Sequence, residues 1–166
     1  MKRIVVVAFT FAAMGWAGEG APAPRVFGPS HVVESYRVLL DRNALLLESI
    51  SDVIRSKGIR DGEVVVTAGS VQECTYHYVE AMDRKPKNVY QTVKGPFEIL
   101  NAGGIIADGE PHIHITLSSA GKGAFGGHLE KGCKVLYLGE VTLLKYDGPA
   151  LTRRANANGI RLLEKK

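Results

Sequence analysis

Residues 111–133 read P-H-I-H-I-T-L-S-S-A-G-K-G-A-F-G-G-H-L-E-K-G-C. Three of the five histidines lie here, on either side of a glycine-rich turn. His112 and His114 are two apart, so on a β-strand both imidazoles leave the same face. Ser118 to Gly123 can turn the chain, and the returning strand brings His128 back towards that pair. Neutral imidazoles gathered on one sheet face suit a borderline divalent ion, zinc first, with three protein ligands and an open fourth position. The stretch predicts a β-hairpin with a metal site at His112, His114 and His128.

On either side of the hairpin the chain reads mostly as strand. His31 to Leu40 alternates enough to be a first strand. Asp41 or Asn43 can cap a helix over Ala44 to Lys57, where Leu46, Leu47, Ile50, Val53 and Ile54 share one face. Gly58 stops it. Glu63 to Gly69 has a continuous apolar centre, and Val71 to Glu80 continues as strand. Asp83 to Asn88 is a charged loop. Val89 to Leu100 gives a further strand interrupted near Gly95-Pro96, followed by a short one over Gly103 to Ala107 and a turn at Asp108-Gly109. Lys134 to Tyr146 is a long apolar strand. Leu151 to Arg154 and Ile160 to Glu164 flank Asn158-Gly159, a two-residue hairpin signal.

Several motifs in this order resemble one family. P-H-I-H-I followed by G-G-H-L-E-K-G-C is similar to the core of the PPC domain, the plant and prokaryote conserved domain. Leu46-Leu47-Glu48-Ser49-Ile50, Gly69-Ser70-Val71 and Gly95-Pro96-Phe97-Glu98-Ile99-Leu100 agree in sequence order, and the similarity spans Tyr36 to Lys165. The resemblance implies an α/β domain that assembles as a homotrimer. Plant members join it to AT-hook DNA-binding motifs and use it for protein contacts. In stand-alone prokaryotic members the histidines can hold zinc. Plant members generally carry a basic residue where this chain has Pro96, which weakens any transfer of the plant partner-binding role.

The first seventeen residues form a separate block. Met1-Lys2-Arg3 is a short basic start, Ile4 to Ala13 is apolar apart from Thr10, and Gly15-Trp16-Ala17 supplies the small residues that a signal peptidase accepts. The run is too short for a comfortable membrane span. A buried first strand is the competing reading, since Ile4 to Val7 has high β-propensity. We read 1–17 as a signal peptide, 18–30 as a Gly/Ala/Pro linker and 31–166 as the domain. Export would place the mature protein in the periplasm or outside the cell; the alternative is cytoplasmic. Cys74 and Cys133 could form one bridge in an oxidising compartment. A free cysteine also packs well as a small apolar residue, so buried free thiols are the expectation.

Composition is ordinary for one globular domain, at 45% hydrophobic and 23% charged. The formal charge of +4 includes Lys2 and Arg3, and a further basic cluster lies at Arg153, Arg154, Arg161, Lys165 and Lys166. The body between is near neutral, so an elevated pI says little about nucleic acid. With 7% aromatics and one Trp, a broad base-stacking platform is not expected. No R-G-R-P-like AT-hook core exists. Gly121, Gly123 and Gly126 spell G-x-G-x-x-G, but a dinucleotide fingerprint needs a parallel strand before it and a helix after it. These glycines serve the turn and close packing instead. Ser118 and Ser119 lack a G-x-S-x-G elbow.

The sequence thus predicts a single α/β (α+β) domain, a largely antiparallel sheet with one main helix, closing its edges by trimerisation. The leading function is an exported, zinc-binding homotrimer in a binding or assembly role, with an unidentified protein or small-molecule ligand. Glu98 is the candidate carboxylate, either supporting the metal ligands or acting as a base. His77, between two tyrosines, could line the same pocket, although cross-strand packing is its expected role. Two alternatives remain: a zinc-dependent hydrolase or lyase using the three-histidine site, and an intracellular DNA-associated protein, which export would nearly exclude.

Overall fold

The computed structural model describes residues 22–166, without the side chains of Val66 and Thr67. The signal-peptide reading of 1–17 and the first part of the linker lie outside the described residues. Eight strands and one helix follow in chain order: β1 (Val32–Asp41), α1 (Leu46–Ser56), β2 (Gly62–Val79), β3 (Asn88–Ala107), β4 (Glu110–Ser119), β5 (Lys122–Leu129), β6 (Lys134–Tyr146), β7 (Leu151–Ala155) and β8 (Arg161–Lys165). β1 to β6 form one sheet in the order β1-β6-β2-β3-β4-β5, while β7 and β8 pair separately. Every strand pair is antiparallel. The expected antiparallel sheet with one main helix is the observed architecture.

β2 is long enough to serve two neighbours along one edge. Its first part pairs with β6, and further on Tyr76 and His77 pair with Leu129 and His128 of β5. Since β5 also pairs with β4, and β4 with β3, the strands β2, β3, β4 and β5 close on themselves. Side chains alternate across this closed unit. Cys74, Tyr76, Ile113, Ile115, Leu117 and Leu129 are buried inside. Their sequence neighbours Thr75, His77, His112, His114, Thr116 and His128 point outward.

Helix α1 places Leu46, Ile50 and Ile54 in the core, each at most 1% exposed. Leu47 and Val53 pack beside them, the face that the 3.6-residue period predicts. Its start differs from expectation. Neither Asp41 nor Asn43 caps it: Leu45 is the N-cap residue and offers no side-chain bond. One first-turn donor is met from the β5–β6 turn instead, as Leu46 N donates to Cys133 O at 2.8 Å. Asn43 adopts φ 72, and its Oδ1 accepts from Gln72 Nε2 at 2.8 Å. Gly58, at φ 59, ends the helix as predicted.

Three further expectations are corrected. β3 runs unbroken from Asn88 to Ala107, so the predicted interruption and the separate Gly103–Ala107 strand merge into one element. Val71 pairs with Phe97 and Glu73 with Lys94, which leaves Gln72 opposite both Gly95 and Pro96. Such a bulge accommodates a proline that has no N–H for the ladder. The C-terminal hairpin turns through residues 156–160 rather than through Asn158-Gly159 alone. Asn156 Oδ1 accepts from the backbone N–H groups of Asn158 and Ile160, at 2.9 and 3.0 Å, and so widens the loop. Finally, Cys74 and Cys133 are not free thiols; they form a disulfide. Both are fully buried as expected. The closed sheet brings the β2 strand and the β5–β6 turn together, a proximity that a sequence separation of 59 conceals.

Candidate metal centre

The imidazoles are gathered by register. His114 on β4 pairs with His128 on β5, and His128 pairs with His77 on β2. These three therefore form a lateral row across neighbouring strands, all pointing outward, with His112 one step along β4. Ring centroids confirm the grouping: His77 to His128 is 4.6 Å and stacked, His112 to His128 4.9 Å, and His114 to His128 5.7 Å. His112 and His114 are 5.3 Å apart. The three histidines expected from the hairpin lie together, with His128 at the centre.

The two glycines before His128 permit this approach. A Cβ on Gly126 would collide with the carbonyl oxygen of Ile115 on β4, and one on Gly127 with that of His77 on β2. With no side chain at either position, β5 can lie close to both neighbours. The G-G-H step is thus a packing device that places the imidazole, and Gly121, at φ 75, serves the turn.

Two partners exceed the sequence expectation. His77 belongs to the cluster itself: it stacks on His128, and its ring lies 5.0 Å from that of Tyr90. Glu130 supplies the nearby carboxylate, with Oε1 2.7 Å from His77 Nδ1 and 3.6 Å from His128 Nδ1. A carboxylate only accepts, so His77 Nδ1 donates, and in the neutral ring Nε2 keeps its lone pair. The signal for Glu130 was present as H-L-E: two residues after His128, it shares that face of the strand. Glu98 is exposed on β3, opposite Ser118, whereas His114 pairs with Gly103. The carboxylate touching the imidazoles is Glu130.

Glu130 is held from several sides. Its N–H donates to Thr75 O at 3.0 Å, Gly132 N donates to Glu48 Oε1 of the helix at 3.0 Å, and the Cys74–Cys133 disulfide fastens the turn to β2.

Burial disfavours the charged form of two of the rings, His112 and His128. It pushes the pKa of His112 down to about 4, aided by Arg153 and then by the other imidazoles. His128 is also lowered, first by burial and then by His77, with Glu130 opposing. Nδ1 of His128 is buried and has no hydrogen-bond partner, a costly arrangement for a polar atom unless a cation or proton takes it up. His77, His128 and Glu130 offer ligand atoms within 4.8 Å of one another. This trio overlaps the expected His112, His114 and His128 set at His128. The two imidazoles and the carboxylate of that trio form a nitrogen and oxygen donor set that fits a divalent ion, with His112 and His114 beside it. Bound there, the ion would supply Lewis acidity.

Residues 29–147 match the sequence profile of the Plants and Prokaryotes Conserved (PCC) domain. The chain belongs to the PCC domain family. Among solved structures, this PCC domain is similar to a metal-containing protein from Archaeoglobus fulgidus, at 26% identity and TM-score 0.74, over 86% of this chain and 100% of that one. It also shares its fold with a plant- and prokaryote-conserved protein from Pyrococcus horikoshii, at 23% identity and TM-score 0.70, over 86% and 99% of the two chains. A proposed DNA-binding protein from Bacteroides thetaiotaomicron shares the fold as well, at 21% identity and TM-score 0.72, over 81% and 94%. No curated protein matches the sequence. Among the described residues no helix is long and apolar enough to cross a membrane.

Proposed function

We propose that this PCC domain is an exported, zinc-binding homotrimer whose role is binding or assembly. The observation that carries the metal reading is the buried Nδ1 of His128, which has no hydrogen-bond partner among the described residues and lies amid three other imidazoles and 3.6 Å from Glu130 Oε1. The metal-containing relative from Archaeoglobus fulgidus supports it. His128 would be a ligand, joined by His112 and His114 or by His77 and Glu130. Export is supported by the signal-like N-terminus and by the Cys74–Cys133 disulfide, which suits an oxidising compartment. Self-association is supported by exposed leucines on three strands of the sheet: Leu39 is 62% exposed, Leu100 56% and Leu138 41%.

Elemental analysis of purified protein tests the metal, and N-terminal sequencing of secreted material tests export. The reading expects bound zinc that is lost in His128→Ala, and a mature N-terminus near residue 18. Equal zinc in wild type and His128→Ala removes the site. An intact Met1 on cytoplasmic protein removes export.

A further inference from the structure

The β7–β8 hairpin lies beyond the residues that match the family profile, yet it is laid against the imidazole cluster. Leu151 and Leu163 line a cavity with Ile105 and Ile106 of β3, and Ile105 is the register partner of His112. At the other end of the hairpin, Arg161 Nη2 bonds Glu110 Oε2 at 2.6 Å. Glu110 precedes His112 by two residues on the same strand face. Between these anchors stands Arg153, opposite Leu163 in the register and on the same face of β7 as Leu151.

The three arginines of this hairpin are treated differently. Arg154 pairs with Glu164 at 2.8 Å and Arg161 with Glu110 at 2.6 Å. Arg153 is half-buried, and among the described residues its guanidinium donates only to a backbone oxygen, that of Arg161, at 3.2 Å. Among the described residues no carboxylate forms an ion pair with it. Its charge is felt at His112, where it ranks next after burial in disfavouring protonation. The carboxylate whose charge reaches it, that of Glu110, is already bonded to Arg161, so the guanidinium has no ion-pair partner of its own. Its planar fork matches a carboxylate or phosphate group. Beside the imidazole cluster, the fork of Arg153 is left without a bonded anion.

We propose that the site takes a ligand bearing an oxyanion, a carboxylate or phosphate group, held by Arg153 beside the imidazole cluster. Any contact of that ligand to a bound metal rests on the zinc reading above; the contact to Arg153 does not.

The test is calorimetric titration of the zinc-loaded full chain with inorganic phosphate and, separately, with malonate. At least one anion should bind at one per chain. Arg153→Ala should weaken that binding by roughly tenfold to a hundredfold, while zinc content and melting temperature stay unchanged. Arg154→Ala should bind as wild type does. If Arg153→Ala folds poorly, Arg153→Lys replaces it, keeping the charge but losing the fork, and binding should still weaken. A response to phosphate alone supports a phosphoryl ligand, and one to malonate alone a carboxylate. Binding of neither anion, or equal affinity in wild type and the Arg153 variant, overturns the proposal. A chain that takes up no zinc contradicts the metal reading instead; titration of that metal-free chain then decides for or against Arg153 by the same comparison.

Discussion

At the scale of single residues, the site depends on which imidazole nitrogens are free and which are held. Glu130 fixes His77 through its Nδ1, so Glu130→Gln should lower zinc affinity by about ten- to a hundredfold. Competition against a chelator checks this, and unchanged affinity would show that Glu130 plays no part. His112 gives a pH prediction for the chelated, metal-free protein. Its folded pKa is near 4 against an ordinary value of 6.5. Below pH 6.5 the unfolded chain gains a proton that the folded chain refuses, so stability is complete above 6.5 and falls progressively towards pH 4. His112→Gln should flatten that part of the stability profile in denaturant titrations at stepped pH. At this scale the sequence was partly legible. The H-x-H spacing and the returning His128 follow from a period of two. The inclusion of His77 does not, because it depends on β2 pairing with β5 across a closed sheet that no local pattern announces.

At the scale of elements, the helix and the disulfide hold the turn that carries Glu130. Ile50 on α1 is 1% exposed, and Ile50→Ala should cost about 2–5 kcal/mol in chemical denaturation. The Cys74–Cys133 bridge spans a sequence separation of 59, and Cys74→Ser with Cys133→Ser should cost about 2–4 kcal/mol. The same double variant should bind zinc more weakly, because Glu130 lies three residues before Cys133. Unchanged zinc affinity would separate the bridge from the site. The amphipathic helix and the hairpin were legible because each follows from local periodicity. The helix cap, the continuity of β3 and the bridge were not. Each is settled by a partner distant in sequence: Cys133 O for the helix start, Gln72 for the bulge at Pro96, and the closing β2–β5 pair for the thiols.

At the scale of the whole molecule, Leu39, Leu100 and Leu138 expose apolar surface on three strands, and β1 pairs only with β6 among the described strands. Light scattering should give three times the chain mass, and Leu39→Glu with Leu100→Glu should reduce it to that of a single chain. A monomeric wild type would contradict the trimer. The antiparallel sheet with a single helix was legible from strand spacing and turn residues. The β7–β8 hairpin was legible from its turn residues too, but its standing apart from the main sheet was not, since only tertiary packing brings Arg161 to Glu110.

The most direct measurement is the zinc content of purified wild type beside that of His128→Ala, determined by elemental analysis after dialysis. The account predicts stoichiometric zinc in the wild type and near-complete loss in the variant. Equal zinc in both, or none in a wild type refolded with zinc present, would contradict it.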